Sequence, residues 1–334
     1  MKFFLAVLFV LCRIIPLQPN KVVLLRRFPH WGSLGLLRDY LAMHTKLRVV
    51  PIENWRKLST IYHLATAGTV FLNDGFSPLA KFPFHKRARV VQLWHADGAL
   101  KRWGAAAGEP FPESKCYTHV VCACPAIVPH WAAAFGVDET RVLPLGSPTG
   151  DALAALPRKP EAQTILYAPS FRENDTDSQA VLAQFDFARF RKTLPHATLL
   201  VRLHPKLHGC YTLPNWVTDA TQDDLFELLV RVSCVVTDYS SIMVSAAGAD
   251  VPVVIYAPDY DDYMAQERGF FADLRELPPG VLVHDFAALL DELAEPRDYA
   301  QQRKAFAAHH LGECDGKACA RIVQTFALPN EKTH

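Results

Sequence analysis

The stretch that decides the fold is "VVTDYSSIMVSAAGADVPVVIYAPD", residues 235–259. It holds two apolar, strand-like runs separated by a polar group and by a segment of mostly Ala, Ser and Gly. A buried strand that ends in Asp238, Tyr239, Ser240 and Ser241 and then enters a helix is typical of a parallel sheet with a ligand at its strand ends. Helix capping is the alternative interpretation, because Asp and Ser are preferred N-cap residues.

Strand-like and helix-like segments alternate in the same way along the rest of the chain. This pattern predicts an α/β protein with two doubly wound, Rossmann-like domains that face a cleft. A Pro-, Gly- and Ala-rich segment at 146–163 is the predicted linker. We therefore predict an apolar segment at 1–18, a first domain at 19–150 and a second at 151–334, whose last helices could pack back on the first. The predicted strands are 21–25, 47–51, 69–72, 89–94, 119–123, 164–168, 198–203, 233–237, 251–256 and 280–283.

Composition excludes several classes of protein. The chain has 334 residues, is 50% hydrophobic and carries a formal net charge of +1, with basic residues scattered along it. It is therefore expected to be globular and not to bind nucleic acid. None of its 8 cysteines forms a C-x-x-C pair, so we predict reduced thiols and no metal site.

The first residues raise the question of membrane association. The apolar run 3–12 stops at Arg13, and a helix needs roughly 20 apolar residues to span a bilayer. No small-x-small cleavage site of a signal peptide follows it. We predict a short helix in the membrane interface, with Lys2 and Arg13 near the lipid headgroups. An ordinary helix buried against the first domain is the alternative.

Polar residues follow the predicted strands of the second half, where the ligand of an open α/β sheet binds. Ser240 and Ser241 supply hydroxyl donors at a helix start, Arg172 can bind phosphate oxygens with two hydrogen bonds, and His204 can donate another. The sequence therefore predicts a phosphate site at this edge. The other residues at the same strand ends are Pro169, Ser170 and Asp238.

A second polar group follows the strand at 89–94 in the first half. His95 comes directly after this strand, and an imidazole titrates near neutral pH, which suits a general base. Asp97 could orient that imidazole. Trp94, Gly98 and Lys101 complete the group, although a lone His after a strand is more often structural.

Six blocks of the sequence, taken together, resemble the CDP-glycerol glycerophosphotransferase family of teichoic-acid synthesis. The likeness covers most of the chain from residue 20 onward. Any one block is weak evidence, whereas six in the family's order are strong. The blocks are 92–104, 165–173, 201–207, 235–259, 268–271 with 277–280, and 315–323.

The resemblance implies a glycosyltransferase-B-like architecture and a transfer of glycerol phosphate from CDP-glycerol to a hydroxyl of a membrane-linked acceptor, with release of CMP. His95 would then be the base, and Trp94, Gly98 and Lys101 would lie on the acceptor side. His204 would bind or polarise the pyrophosphate together with the two serines. Glu267, Arg268 and Asp315 are further candidates for donor hydroxyls, with a solvated loop and a helix cap as the alternative. No cofactor is expected. The expected partners are the cytoplasmic face of the cell membrane and a polyprenyl-linked or glycerophosphate acceptor, and a homo-oligomer is left open.

The chain departs from the family at residues 96–98, where Ala, Asp and Gly replace the Gly-Thr-Pro of many relatives. Asp97 therefore leaves the acceptor's identity open. The choice between glycerol and ribitol, and between one addition and many, also stays open. A nucleotide-sugar glycosyltransferase or epimerase, and a catalytically inactive nucleotide-binding scaffold at the membrane, are the alternative functions.

Overall fold

The computed structural model describes residues 2–27, 32–54, 57–170, 182–204, 211–266 and 269–327. The chain divides into two compact units. Unit 1 contains residues 1–99, 103–152 and 311–334, and unit 2 contains residues 100–102 and 153–310. The predicted linker includes the point after Ala152 at which the chain leaves unit 1, but it also contains a helix, Pro148–Ala154.

Unit 1 is built on a parallel sheet. Among the described residues the sheet has six strands in the order β2-β1-β3-β4-β5-β6. Such an order, in which the chain runs first to one side of β1 and then to the other, defines a doubly wound sheet. The strands are β1 (Gln18–Leu25), β2 (Arg48–Ile52), β3 (Ala67–Leu72), β4 (Arg89–Gln92), β5 (His119–Cys122) and β6 (Val142–Pro144).

The helices of unit 1 cover the two faces of this sheet. Leu34, Leu37 and Leu41 of one helix and Ile322 and Phe326 of another share a buried cluster with the strands, so the end of the chain completes the core of unit 1. The helices are α1 (Lys2–Cys12), α2 (Gly32–His44), α3 (Leu58–Thr66), α4 (Val128–Phe135), α5 (Pro148–Ala154) and α12 (Ala318–Phe326).

Unit 2 has a second parallel sheet, with the order β12-β11-β10-β7-β8-β9 in the part of the chain that the structure describes. When the strands of unit 2 are numbered from 1 in chain order and read from the β9 edge, the order is 3-2-1-4-5-6. This is the strand order of dinucleotide-binding folds. The predicted α/β class with two doubly wound domains is thus confirmed. The strands are β7 (Thr164–Ala168), β8 (Thr198–Val201), β9 (Thr218–Asp219), β10 (Cys234–Thr237), β11 (Val253–Tyr256) and β12 (Val281–Val283).

The helices of unit 2 bury apolar faces against that sheet. Phe190 from one helix and Leu289 and Leu290 from another are at most 3% exposed and join the strand residues in one cluster. The helices are α6 (Phe187–Thr193), α7 (Leu225–Arg231), α8 (Ile242–Gly248), α9 (Tyr260–Gln266), α10 (Phe286–Ala294) and α11 (Ala300–Leu311).

Helix α1 has one buried side, as expected for a helix packed on the first domain, and one exposed apolar side, as expected for a helix in the membrane interface. Leu5 and Phe9 are buried, and the Phe9 ring stacks on Phe82 with the centroids 4.7 Å apart. The opposite side of the helix is exposed and apolar, with Val10 50% and Leu11 56% exposed. Among the helices that the structure describes, none is long and apolar enough to cross a membrane.

Candidate active site

The topological switch point of unit 1 lies between β1 and β3, and polar side chains follow both strands. Arg27 follows β1, and its backbone N–H donates to Asn73 Oδ1 at 3.4 Å. Asp74 follows β3, is 5% exposed, and lies 3.8 Å from the Arg27 guanidinium. Ligands of open α/β sheets bind outside the carboxyl ends of the strands at such a point. This edge is therefore the candidate site of unit 1.

His95 joins this group from the loop after β4. Its Nδ1 lies 3.7 Å from Asp74 Oδ1, and its ring packs against Trp94 with the centroids 4.1 Å apart. The side chain is 41% exposed, whereas that of Asp74 is 7% exposed. His95 therefore presents part of its imidazole to solvent while a buried carboxylate contacts the other part.

Burial and charge act in opposite directions on this pair. Burial raises the pKa of Asp74 and lowers the pKa of His95, and the attraction between the two groups opposes both shifts. A pKa of His95 below its usual value leaves the imidazole neutral at pH 7. A neutral imidazole is the form that accepts a proton.

A buried amide fixes the backbone between β4 and His95. The Gln92 side chain accepts the Trp94 N–H at 2.8 Å and donates to the Asp74 carbonyl at 2.9 Å. Trp94 has φ 60°, which an L-residue adopts only when its surroundings hold it there. The Gln92 amide thus links the loop carrying His95 to the loop carrying Asp74.

Aromatic rings support the same loop. The Trp94 ring stacks on Trp103 at 4.6 Å and meets Phe111 and Phe135 edge-on, each at 5.4 Å. Gly104, the last residue of the block 92–104, has φ 57°, and a Cβ there would collide with the carbonyl oxygen of Ala134. Trp94 and Trp103 therefore act as packing residues that support the loop carrying His95.

Asp97 has a different neighbour from the one predicted. Its carboxylate hydrogen-bonds to the Ser147 side chain, and burial raises its pKa to about 6. It lines a small cavity together with Ser33, Ser147 and Trp131. Gly98, φ 74°, accepts a 2.9 Å hydrogen bond from the Trp131 indole. The carboxylate that the structure places against His95 Nδ1 is that of Asp74, which the sequence analysis did not select.

The switch point of unit 2 lies between β7 and β10, where the predicted phosphate site was placed. Asp238 follows β10, is 4% exposed, and its Oδ1 accepts the backbone N–H of Ser170 at 2.7 Å and that of Tyr239 at 2.6 Å. Ser170 and Pro169 follow β7 and are both buried. Asp238 therefore fixes the two strand-end loops to each other.

Tyr239 anchors the loop that begins the α8 region. Its ring is fully buried and stacks on Tyr263 at 3.8 Å, and its hydroxyl donates to Asp259 Oδ1 at 2.8 Å. No role was predicted for Tyr239 from the sequence. The role of Tyr239 could have been suggested by Asp259, because this possible partner is also a polar residue that follows a strand, β11.

The two serines have different roles. Ser240 Oγ accepts the Ile242 N–H at 3.3 Å, which is a capping interaction, whereas Ser241 is exposed and its side chain makes no capping hydrogen bond. The helix begins at Ile242, two residues later than expected. Capping thus accounts for Ser240 but not for Ser241, whose side chain is exposed.

Lys101 belongs to unit 2, not to the first domain in which the prediction placed it. Residues 100–102 pair with the segment around Phe270, through the Lys101–Phe270 bridge and the 2.8 Å bond from the Phe271 N–H to the Leu100 carbonyl. The Lys101 ammonium lies 3.4 Å from Ser170 Oγ and 5.2 Å from the centre of the Tyr263 ring. A cation therefore stands beside the strand ends of unit 2.

The remaining predicted residues divide into three groups. His204 is exposed and follows β8, at the carboxyl edge of the unit 2 sheet. Asp315 lies in unit 1, where its carboxylate pairs with Arg321 at 2.8 Å. Arg172, Glu267 and Arg268 lie outside the described residues.

Within the described ranges, no group of three or more His, Cys, Asp or Glu side chains could hold a metal ion. The described cysteines are free thiols, and burial raises the pKa of Cys122 to about 12. The polar groups at the two switch points include imidazole, guanidinium, carboxylate, amide, hydroxyl and ammonium groups, which together can bind hydroxyls and anions.

Known proteins with related sequences are enzymes of teichoic-acid synthesis. The teichoic acid ribitol-phosphate primase of Bacillus spizizenii is 29% identical over 295 residues, which cover 79% of this chain and 76% of that protein. The glycerol-phosphate primase of Bacillus subtilis is 23% identical over 289 residues, covering 80% and 75%. The chain spans 49% of the Bacillus spizizenii poly(ribitol-phosphate) polymerase, at 29% identity.

Solved structures show the same fold. The wall teichoic acid polymerase TagF aligns over 96% of this chain and 92% of its own, with a TM-score of 0.77 and 19% identity. The UDP-GlcNAc 2-epimerase of Neisseria meningitidis aligns over 91% and 99% with a TM-score of 0.60, but at 11% identity it shows the fold alone. The family model described as CDP-Glycerol:Poly(glycerophosphate) glycerophosphotransferase matches residues 40–328. The chain therefore belongs to the CDP-glycerol:poly(glycerophosphate) glycerophosphotransferase family.

Proposed function

We propose that the protein transfers an alditol phosphate from a CDP-alditol to a hydroxyl of a membrane-linked acceptor and releases CMP. The observation that carries the proposal is the contact between His95 and the buried Asp74 at the switch point of unit 1. In a chain whose family is defined by this transfer, that pair supplies a neutral imidazole with a carboxylate behind it. This arrangement suits a general base.

His95 takes the proton of the acceptor hydroxyl in this proposal. The deprotonated oxygen attacks the β-phosphorus of the CDP-alditol, and the bond from that phosphorus to the bridging oxygen breaks, so that CMP leaves with the bond's electron pair. Asp74 stabilises the imidazolium that forms, because its carboxylate lies 3.7 Å from His95 Nδ1. General-base catalysis of this kind contributes about a hundred- to ten-thousand-fold.

The strand ends of unit 2 bind the donor in this proposal. Phosphoryl transfer is governed by positioning and by stabilisation of charge on the transferred group. The Ser241 hydroxyl, the exposed His204 and the Lys101 ammonium are the described groups that can contact the donor phosphates. Asp238 and Ser240 position the loops, since their side chains bind backbone N–H groups. Arg172, Glu267 and Arg268 remain proposed donor contacts on the basis of the family resemblance.

The alditol is glycerol in the family's description and ribitol in several relatives. The ribitol-phosphate primase is 29% identical to this chain, and the glycerol-phosphate primase of Bacillus subtilis is 23% identical. We therefore propose CDP-glycerol and CDP-ribitol as the two donors to compare. The acceptor would be polyprenyl-linked or a glycerophosphate, and the enzyme would work at the cytoplasmic face of the membrane as a peripheral protein.

A donor screen tests this proposal. The purified protein is incubated with CDP-glycerol, CDP-ribitol, UDP-GlcNAc or CMP-linked sugars, with and without a short glycerophosphate-primed lipid acceptor, and the released nucleotide is quantified. We expect CMP release from one CDP-alditol, and only with the acceptor present. Release of UDP, or conversion of a sugar nucleotide without acceptor, would instead establish a glycosyltransferase or an epimerase. Binding of CDP-alditol without turnover would establish a scaffold.

A further inference from the structure

A small polar cavity lies at the carboxyl edge of the unit 1 sheet, beside the loop that carries His95. Leu93 follows β4 and Val121 lies near the end of β5, and both form part of the cavity wall, as does Ser147 from the loop after β6. The cavity admits a group about the size of one water molecule. Because ligands of open α/β sheets bind at this edge, the cavity and His95 can contact the same substrate.

Asp97 is the charged group of this cavity. The residue as a whole is half-buried, and burial of its carboxyl group raises the pKa to about 6, so the group is largely ionised at pH 7. Among the described residues, the Ser147 hydroxyl is the side chain that bonds to it. A carboxylate has about four acceptor sites. Asp97 therefore keeps the capacity to accept a hydrogen bond from a group in the cavity.

Neighbouring hydroxyls set the hydrogen bonds around this carboxylate. Ser147 Oγ accepts the Gly150 N–H at 2.9 Å, so the hydroxyl hydrogen of Ser147 is available to Asp97. Ser33, which also lines the cavity, lies with its Oγ 2.6 Å from Thr149 Oγ1. One hydrogen serves that bond, so the pair keeps one hydroxyl hydrogen for another acceptor. The cavity therefore suits a ligand hydroxyl, which both donates and accepts hydrogen bonds.

The sign of the charge distinguishes this cavity from a phosphate site. Its described lining contains one carboxylate and no Lys, Arg or His side chain. A carboxylate repels a phosphate group, whereas it accepts a strong hydrogen bond from a neutral hydroxyl. Trp131, whose indole N–H is already bonded to the Gly98 carbonyl at 2.9 Å, adds an apolar wall. A polyol, which combines hydroxyls with aliphatic C–H groups, matches both kinds of surface.

The cavity lies within reach of the reacting hydroxyl. Asp97 follows His95 by two residues, so their Cα atoms are at most about 7 Å apart. Successive carbons of a polyol carry hydroxyls, and a second hydroxyl of the same unit can enter the cavity while the first lies at His95. One unit of the acceptor can therefore contact both residues.

We propose that the cavity binds a second hydroxyl of the acceptor through Asp97, beside the hydroxyl that His95 deprotonates. Asp97 is then a specificity-determining residue, which selects an acceptor that ends in a polyol over one that ends in a single hydroxyl. The inference rests on the proposed function for the identity of the acceptor. It adds the group by which unit 1 recognises that acceptor.

A pair of soluble acceptors tests this role. One is octyl glycerol phosphate, which carries a second hydroxyl beside its terminal one, and the other is its deoxy analogue, in which hydrogen replaces the second hydroxyl. CMP release from the CDP-alditol gives kcat/KM for each acceptor, and an NMR titration without donor gives each Kd. We expect the wild type to prefer the diol about ten- to hundred-fold in both measurements, because the deoxy acceptor lacks a hydrogen bond to a charged group.

Variants of Asp97 turn this comparison into a double-mutant cycle. Asp97→Ala should reduce the preference for the diol to within about threefold. Asp97→Asn, which keeps a neutral oxygen acceptor, should retain part of the preference. Asp39→Asn, at a carboxylate of α2 that is 57% exposed, is the matched control and should show the wild-type preference. Circular dichroism checks that each variant is folded.

The outcomes separate this role from the transferase assignment. Equal binding and equal use of both acceptors by the wild type would overturn the proposal and leave the cavity to a water molecule. A full preference that persists in Asp97→Ala would also overturn it, since another group would then recognise the hydroxyl. Failure of the proposed function would appear differently, as a lack of CMP release from every donor. The Kd values of the two acceptors would still decide the role of Asp97 in that case.

Discussion

At the scale of residues, His95 was predicted as the base but its partner was not. The candidate residues predicted from the sequence follow the strands of the second half and β4, and none of them follows β3. Asn73 and Asp74 directly follow the run "TVFL", so the same rule would have found them. Asp97 was chosen because it is near His95 in sequence. In the structure Asp97 bonds to Ser147, and both residues line a small cavity beside the ends of β5 and β6.

Asp74→Asn should lower kcat/KM for CMP release about ten- to hundred-fold, because the imidazolium loses the carboxylate that stabilises it. The Asp74 charge raises the pKa of His95, so its removal lowers that pKa further. The acid limb of the pH profile, where activity falls as His95 becomes protonated, should therefore move to lower pH. A pH profile measured beside Asp261→Asn, whose carboxylate is 94% exposed, checks this. An unchanged acid limb would refute the positioning role.

Asp97→Asn should stabilise the protein in a pH-dependent way. Burial raises the pKa of Asp97 to about 6, so between its unfolded value near 4 and pH 6 the folded state binds more protons. The free energy of unfolding therefore falls as pH rises through this window, because the buried Asp97 carboxyl must ionise. The variant should gain about 1–3 kcal/mol at pH 8 and little at pH 4. Urea unfolding at both pH values measures the difference, and an equal gain at both would contradict it.

At the scale of elements, the buried central strands were predictable from the sequence, whereas short edge strands, one helix and a long-range pairing were not. β7 was predicted residue for residue, because apolar runs bounded by polar residues identify buried parallel strands. The edge strands β6 and β9 were missed, since they are 3 and 2 residues long and half exposed or exposed. The helix α5 inside the predicted linker was missed because Pro and Gly at its start are usual in both turns and first helical turns. Lys101 pairs with residues 169 positions later in the chain, and no local pattern reports such a contact.

Lys101→Met should raise the KM for the CDP-alditol about tenfold and change kcat only a few-fold. The ammonium lies beside Ser170 at the switch point of unit 2, where the donor phosphates are proposed to bind, and a lost charge–phosphate contact weakens binding of the ground and transition states alike. Steady-state CMP release at varied donor concentration gives both constants. Lys304→Met, at an exposed position of α11, is the matched control. A variant with reduced kcat and unaltered KM would place Lys101 elsewhere in the reaction.

At the scale of the whole molecule, two doubly wound sheets each bring polar loops together at a switch point. In unit 1 these loops carry Arg27, Asp74 and His95, and in unit 2 they carry Ser170 and Asp238. The sequence predicted both sheets, because a parallel strand leaves a continuous apolar run. The sequence left open that the last helices pack back on the first domain, and α12 does complete the core of unit 1. The residues that α12 contacts could not be predicted, because that packing joins residues far apart in the chain.

The central claim is that His95 acts on the acceptor and not in donor binding. The most direct test compares single-turnover CMP release by wild type and His95→Gln, with the CDP-alditol and acceptor saturating, and measures the donor Kd of each by calorimetry. Glutamine keeps a side chain of comparable size against Trp94 but cannot serve as a base. For His95→Gln we expect a rate about a hundred- to ten-thousand-fold lower, with a donor Kd within about threefold of wild type. A wild-type rate, or a lost rate accompanied by lost donor binding, would contradict it.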